Sequence, residues 1–431
     1  MKNFNFTKCL KDLFNLNRSI TGKDTLKTLN YFKKINNDLK IIKFKSGSKV
    51  FDWEIPLEWN VKDAYIKHLK TGKKFAEFKK NNLHLVGYSI PMSTTLNLND
   101  LKKKIYFHKI PNAIPYITSY YKKNWGFCLT KNQFKKLPEG KYQIKIDSQF
   151  KKGYMNGSHA IIKGKVKKEI LFSSYICHPS MANNELSGPI LLNAVLKHLK
   201  KNYKKPYYTY RFVLMPETIG SIAYLSKNHK YLRKNVIAAF NLTCVGDGKS
   251  YSLVESKNGN TISDIALKCQ IIKKNKFKIY SFLQRGSDER QYCSPGVDIP
   301  MATFCRSKFG EYKEYHTSLD NLDLVKEKYL GESLKIFKNI INSFEMGIYP
   351  TTTFKCEPMM SKRNLYPSIS KVGNYSQNIK DRMNFIAYCD GRNIFEISLK
   401  TGIKLEKLIE EYKILNETKV LKRKYEKKEN L

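Results

Sequence analysis

The chain has 431 residues, 41% hydrophobic and 13% aromatic, which is too much for one ordinary core and enough for two or three. Its formal charge is +42, from 79 Lys and Arg against 37 Asp and Glu, but the lysines are spread throughout and do not form the clustered stripe a nucleic-acid backbone needs. Nine cysteines, an odd number with no C-x-x-C pair, argue against a zinc ribbon or a disulfide framework. No apolar run reaches the roughly 20 residues of a membrane span, and the first residues lack the apolar core of a secretory signal, so a cytoplasmic location is expected.

In chain order, Leu10, Leu13, Phe14, Leu16, Leu26, Leu29, Tyr31 and Phe32 recur at helical spacing. From Val50 to Leu101 the pattern changes to short β-like pieces with turns between them, including Phe51 to Trp59 and His84 to Ser89. Strand-like and helix-like runs then alternate. The strands are expected at Tyr142 to Ile146, Ile170 to Cys177, Tyr208 to Met215, Val236 to Val245 and Met301 to Cys305. The helices are expected at Gly188 to Lys201, Ile219 to Ser226, Thr261 to Ile272 and Val325 to Phe344. The fold class is α/β, a mixed, largely parallel sheet flanked by helices. Residues 1–48 and 105–350 build that domain, 49–104 a small β-rich insertion, and 355–431 a terminal unit.

That terminal unit holds helical runs at Ile379 to Tyr388, Ile394 to Lys400 and Leu405 to Leu415, with a turn at Thr401-Gly402 and a β-like Thr418 to Leu421, the order of a winged helix-turn-helix. Residues 351–431 carry a net +7 over 81 residues, about the charge density of the remainder, and the expected reading helix holds Glu406, Glu410 and Glu411. A protein-contact role is therefore favoured over DNA binding.

Chemistry concentrates where the strands stop, the position at which open α/β sheets place their sites. Ile170 to Cys177 runs into His178 and a loop carrying Asn183, Asn184 and Glu185. Tyr208 to Met215 runs into Glu217, Val236 to Val245 into Asp247, and Met301 to Cys305 toward Tyr315 and His316. Glu217 suits either a general base or a carboxylate at a helix start, and Asp247, within Gly246-Asp247-Gly248, suits a turn as well as a ligand. Asp288, Glu289 and Arg290 form a polar cluster suited to a substrate amine and an anionic group, or to a solvated turn.

At these residues the chain resembles the co-catalytic zinc aminopeptidases. It is more similar still to a bacterial group of zinc aminopeptidase-like proteins with an inserted β domain and a C-terminal winged helix, often associated with surface-polysaccharide biosynthesis. The shared text includes Asp52 to Pro56, Tyr120-Tyr121 with Trp125 to Cys128, Ile176 to Ser180, Leu186 to Pro189, Pro216 to Ser221, Gly286 to Gly296 and Glu314 to Ser318. The resemblance implies that His178 and His316 are ligand histidines and that Glu217 is the general base. The bridging aspartate falls on Asn184, the second glutamate on Thr218 and a further ligand aspartate on Thr243. A two-metal site needs its bridging carboxylate. One zinc ion is therefore expected rather than two, held by His178, Glu185 and His316 with water in the fourth position, and with Asn184 and Asp247 as further or supporting groups.

The function expected is hydrolysis of a peptide, aminoacyl or glycan-linked amide, with Glu217 moving the proton and Asp288, Glu289, Arg290 and Tyr315 on the substrate. The alternative is an inactive aminopeptidase fold acting as a binding or regulatory module through its winged helix. A protein partner on the winged helix is expected, no membrane span is expected, DNA is not favoured, and a homo-oligomer is left open.

Overall fold

A computed structural model describes residues 4–366 and 376–426. The main sheet has eight strands: β1 (Lys40–Lys45), β2 (Tyr154–Ile162), β3 (Glu169–Tyr175), β4 (Thr209–Met215), β5 (Val236–Leu242), β6 (Tyr251–Val254), β7 (Phe277–Tyr280) and β8 (Met301–Cys305). Their spatial order is β1-β2-β4-β3-β5-β8-β6-β7. The central strands β4, β3, β5 and β8 are mutually parallel, while β2 joins β4, and β6 joins β8, antiparallel. All seven residues of β3 are buried, as a near-continuous apolar run in a sheet covered on both faces requires.

Alternation along the strands divides two cores. Ile170, Phe172, Phe212, Phe240 and Phe304 face the helices α1 (Phe6–Leu13), α3 (Ser187–Asn202) and α6 (Glu327–Glu345). Leu171, Val213, Ala239 and Met301 face α4 (Ile219–Asn235) and the smaller sheet. Helix α2 (Lys23–Ile35) contributes Leu29 and Phe32 to the first core and α5 (Ile262–Ile271) contributes Ala266 and Leu267.

The four expected central strands and their helices are present with ends within three residues, except that the helix expected at Ile219 to Ser226 runs on to Asn235. Four strands escaped the sequence reading. Lys40–Lys45 extends a helical-looking region, and Tyr154–Ile162 buries the polar Asn156 and Ser158, which break an apolar pattern. Tyr251–Val254 and Phe277–Tyr280 are four residues each. The smaller sheet is four-stranded, in the order Lys74–Phe75, Glu58–His68, Lys141–Lys151 and Met92–Asn97. Residues Tyr142 to Ile146 thus belong to this sheet and not to the main one, and the boundary at 104 cuts through its pairing. Two eleven-residue strands, Glu58–His68 and Lys141–Lys151, hold it together across that boundary.

The C-terminal unit contains α7 (Gln377–Ala387), α8 (Ile394–Thr401) and α9 (Leu405–Glu417), with Thr351–Thr352 paired to Leu421–Lys422. Asn393 and Glu396 form a capping box at the start of α8, and Gly402 ends it at φ 70°. Positions 367–375 and 427–431 of the expected 355–431 unit lie outside the described residues. Phe385, Phe395, Leu408 and Tyr412 join the same apolar core as Phe337 and Phe344, so this unit packs on the α/β body through α6. Glu411 is held by Arg382 at 2.7 Å and is not a solvent-facing acid on a reading helix. Among the described residues no helix is long and apolar enough to cross a membrane.

Candidate metal centre

Because β3, β4, β5 and β8 are parallel neighbours, their carboxyl ends meet at one rim. Past each end stands a non-glycine residue in the left-handed region: Ser180 (φ 41°), Thr218 (φ 64°), Cys244 (φ 51°) and His316 (φ 53°). Backbone of this kind costs of order 1–3 kcal/mol per residue and gathers at functional sites. The surrounding contacts must therefore hold it.

After β3 the chain forms a π-helical turn, Ala182–Leu186, and passes directly into α3. No local side chain caps this start. Instead Asp320 reaches in from 136 residues away, its carboxylate accepting the backbone N–H of Asn183 at 2.6 Å and of Asn184 at 2.9 Å, and the Tyr312 hydroxyl at 2.8 Å. Burial raises the Asp320 carboxyl to about 6, with those backbone donors opposing the rise. Gly188 lets α3 approach β5, since a Cβ there would meet the Leu242 carbonyl oxygen at 2.2 Å.

His178 is buried between Tyr116, Tyr175 and His316, with ring centroids at 5.0, 5.6 and 5.4 Å. Its Nδ1 donates to Glu185 Oε2 at 2.9 Å, and its Nε2 lies 3.8 Å from Glu217 Oε2. Behind Glu185 stands Arg18, fully buried, with Nε at 3.6 Å from Glu185 Oε1 and donating to the His178 carbonyl at 3.2 Å. Burial acts to lower the His178 pKa, but the Glu185 hydrogen bond and the charges of Glu185 and Glu217 outweigh it, and the net shift is upward. Burial raises Glu217, opposed by His178 and Arg290. His316, stacked on Tyr315 at 3.9 Å, is pushed down to about 3 by burial and then by His178, so it is a neutral imidazole.

Among the described residues one group of three metal-capable side chains converges: Cys177, His178 and Glu185, with ligand atoms within 4.8 Å of one another. His316 lies beside His178 but outside that group, and Cys177 takes its place. The Cys177 sulfur accepts the Glu217 backbone N–H at 3.3 Å, and burial holds its thiol well above the ordinary range. The fit to a cation is tested by the acceptors. Asn184 Oδ1 and His316 Nε2 are buried without a hydrogen-bond partner, and Glu185 Oε1 has only the Arg18 guanidinium at 3.6 Å, a deficit a cation fills. Asn184, the residue the resemblance sets at the bridging position, is an amide that donates Nδ2 to the Tyr175 hydroxyl at 2.7 Å, and the one converging group of side chains among the described residues fits a single ion.

Asp247, for which a turn role is favoured over a ligand role, and Glu289, expected on the substrate, both have internal partners. Asp247 accepts Lys249 N and Ser307 Oγ on one oxygen, and Asn183 Nδ2 and Ser307 N on the other, all at 2.8–3.0 Å. Both oxygens are filled, and it is a scaffold residue. Glu289 is fully buried, accepting Gly286 N, Ser287 N, Thr303 Oγ1 and Asn241 Nδ2, so no oxygen is left for a substrate. Its neighbours differ. Asp288 accepts Thr218 N at 2.8 Å, keeps Oδ2 without a donor, and is raised to about 7 by burial and then by Glu217. Arg290 is exposed and donates to the Thr218 hydroxyl.

Sequence reading missed Arg18, Cys177, Tyr116, Tyr175 and Asp320. One signal was available. The chain uses arginine sparingly, and among the described residues no lysine is buried whereas Arg18, Arg211 and Arg306 are. Every buried cationic side chain among the described residues is thus an arginine, whose planar fork suits a buried pairing, although Arg233, Arg285 and Arg290 are exposed.

The sheet order and the strand-end rim define an aminopeptidase-type α/β fold. Bacillus subtilis zinc aminopeptidase has this fold, with TM-score 0.55 and 14% identity over 78% of this chain and 95% of that one. A model described as "Domain of unknown function (DUF4910)" matches residues 7–347, and a winged helix-turn-helix model matches 347–423. The chain belongs to the DUF4910 family. A Clostridium acetobutylicum protein, named as a candidate polysaccharide biosynthesis protein with an aminopeptidase-like domain, is 39% identical over 405 residues, covering 93% of this chain and 92% of its own length. A solved structure from the same organism, named as a candidate peptidase, superposes with TM-score 0.87 and 36% identity, covering 96% of this chain and 95% of that one.

Proposed function

We propose that the chain is a metal-dependent amide hydrolase of aminopeptidase type holding a single zinc ion. The observation that carries this reading is His178, clamped by Glu185 on one nitrogen and facing the Glu217 carboxylate at 3.8 Å with the other. His178 and Glu185 would hold the ion, with Cys177 in reach and His316 adjoining. A zinc ion in such a set supplies an acidified water and a polarised carbonyl.

The chain's own groups do the rest. Glu185 Oε2 accepts from the His178 ring and fixes its tautomer, which leaves Oε1 as the Glu185 atom for the ion. Arg18 in turn holds Glu185 in place. Glu217, raised by burial, accepts a proton on Oε2 and returns it to the leaving amine. Arg290 and Tyr315 would take groups of the substrate, and the donor-free Oδ2 of Asp288 a substrate amine that reaches it. The Clostridium relative's name supports a substrate in surface-polysaccharide biosynthesis, an aminoacyl or acyl amide on a glycan precursor.

Metal analysis of the purified, zinc-reconstituted protein tests the site. One ion per chain, lost in His178→Ala, is expected. A wild-type chain that retains no zinc, and releases no amine from aminoacyl amides, sinks the reading. A second reading rests on the buried Arg18, which already neutralises Glu185: an inactive fold that binds partners through the winged-helix unit. The same absence of zinc and turnover would select it.

A further inference from the structure

Beside the centre lies a groove of about 730 Å³ that the hydrolytic chemistry does not use. It is bounded by the 46–57 hairpin, the 120–123 loop and the end of the Lys141–Lys151 strand. Its surface is aromatic and open. Tyr120 and Tyr121 are 40% and 52% exposed, and Trp53, 40% exposed, stands 6.2 Å from the Tyr121 ring. Tyr121 is anchored by donating its hydroxyl to the Glu54 carbonyl at 3.0 Å. Tyr120 holds φ 45° and lines both this groove and the small cavity that reaches Tyr116 and Cys177, so the groove adjoins the catalytic rim.

Its lining carries three lysines, Lys122, Lys123 and Lys152, against one carboxylate, Glu54. Among the described residues none of them has a carboxylate within ion-pair reach, whereas the neighbouring Lys151 faces Glu58 at 3.9 Å. Ring faces left in water gain nothing from folding, and unpaired cations beside them repel each other. Both make sense if a ligand presents apolar C–H faces to the rings and negative charge to the lysines. A saccharide offers the faces, and an anionic group on it offers the charge. The volume is within the usual range for small-molecule sites.

We propose that this groove binds an anionic saccharide, the glycosyl part of the amide substrate. The placement rests on the hydrolase reading; the saccharide chemistry rests on the groove itself.

Calorimetric titration of the full chain tests it, with trigalacturonate, UDP-N-acetylglucosamine and neutral maltotriose as probes, with and without added zinc. At least one anionic probe should bind independently of zinc, and binding only the first or only the second assigns the charge to a carboxylate or a phosphate. Trp53→Ala and Tyr121→Ala should each weaken that binding by about tenfold. Lys122→Ala with Lys123→Ala should weaken it similarly and remove most of its salt dependence. Binding of neither anionic probe, maltotriose binding equally well, or indifference to all four substitutions overturns the proposal. So does a dimer in sedimentation that Trp53→Ala dissociates, because the groove would then be an interface. If zinc and turnover are absent while anionic saccharide still binds, the hydrolase reading fails alone. If aminoacyl amides are hydrolysed but no saccharide binds, the groove proposal fails alone.

Discussion

The turn at 182–186 has two sides built from similar residues in opposite states. On one side Asn183, Asp247, Ser187, Ser307 and Asp320 exchange hydrogen bonds until both Asp247 oxygens are filled and the turn's first N–H groups are taken. On the other side Asn184, Glu185 and His316 each keep a buried acceptor with no donor. Both sides are buried, so solvent does not distinguish them. A saturated carboxylate holds the backbone, and an unsaturated one is left for a ligand. Polar type and burial alone would have assigned Asp247 and Glu185 the same role.

The sharpest way to break this contrast is Asp320→Ala. It strands two backbone donors and the Tyr312 hydroxyl, and should cost on the order of 3–5 kcal/mol in denaturant unfolding, unrelieved by zinc. A loss under about 1 kcal/mol would remove the scaffold assignment. On the other side, Glu217→Gln should lower amide hydrolysis by about 10²–10⁴-fold while the denaturation midpoint and zinc content stay unchanged. Parallel losses of folding and activity would instead make Glu217 structural. Glu185→Gln should weaken zinc binding by about 10–100-fold in competition with a chelator, because the His178 clamp loses its charge.

The smallest effect is a change of slope. The Asp288 carboxyl is raised from 3.8 to about 7, so its protonated form is favoured by folding. Its contribution to stability is present below about pH 4 and is lost as pH rises through about 7. Asp288→Asn keeps an acceptor for Thr218 N without that titration. The variant should therefore gain stability relative to wild type between pH 4 and 7 and run parallel to it above. A constant difference across that range would show that Asp288 is not buried as a neutral acid.

Much of the rim was readable because largely apolar runs of five to ten residues that end in a polar group and alternate with helical runs fit buried parallel strands. His178, Glu217 and His316 were found at those ends. Other elements escaped for local reasons: Tyr154–Ile162 hides its strand character behind buried Asn156 and Ser158, and Lys141–Lys151 carries no mark of which sheet it joins. The site partners escaped for a non-local one. Arg18 meets His178 across 160 positions and Asp320 caps Asn184 across 136, with no spacing rule to reveal either.

Residue order alone, then, establishes an α/β body, a winged-helix tail and a rim bearing two histidines and a glutamate. Only the tertiary structure separates Asp247 and Glu289, whose oxygens are all occupied, from Glu185 and Asp288, which each retain one without a hydrogen-bond donor. The physical reason is that hydrogen-bond capacity is written in each residue, whereas its use depends on which distant donors the fold brings within about 3 Å.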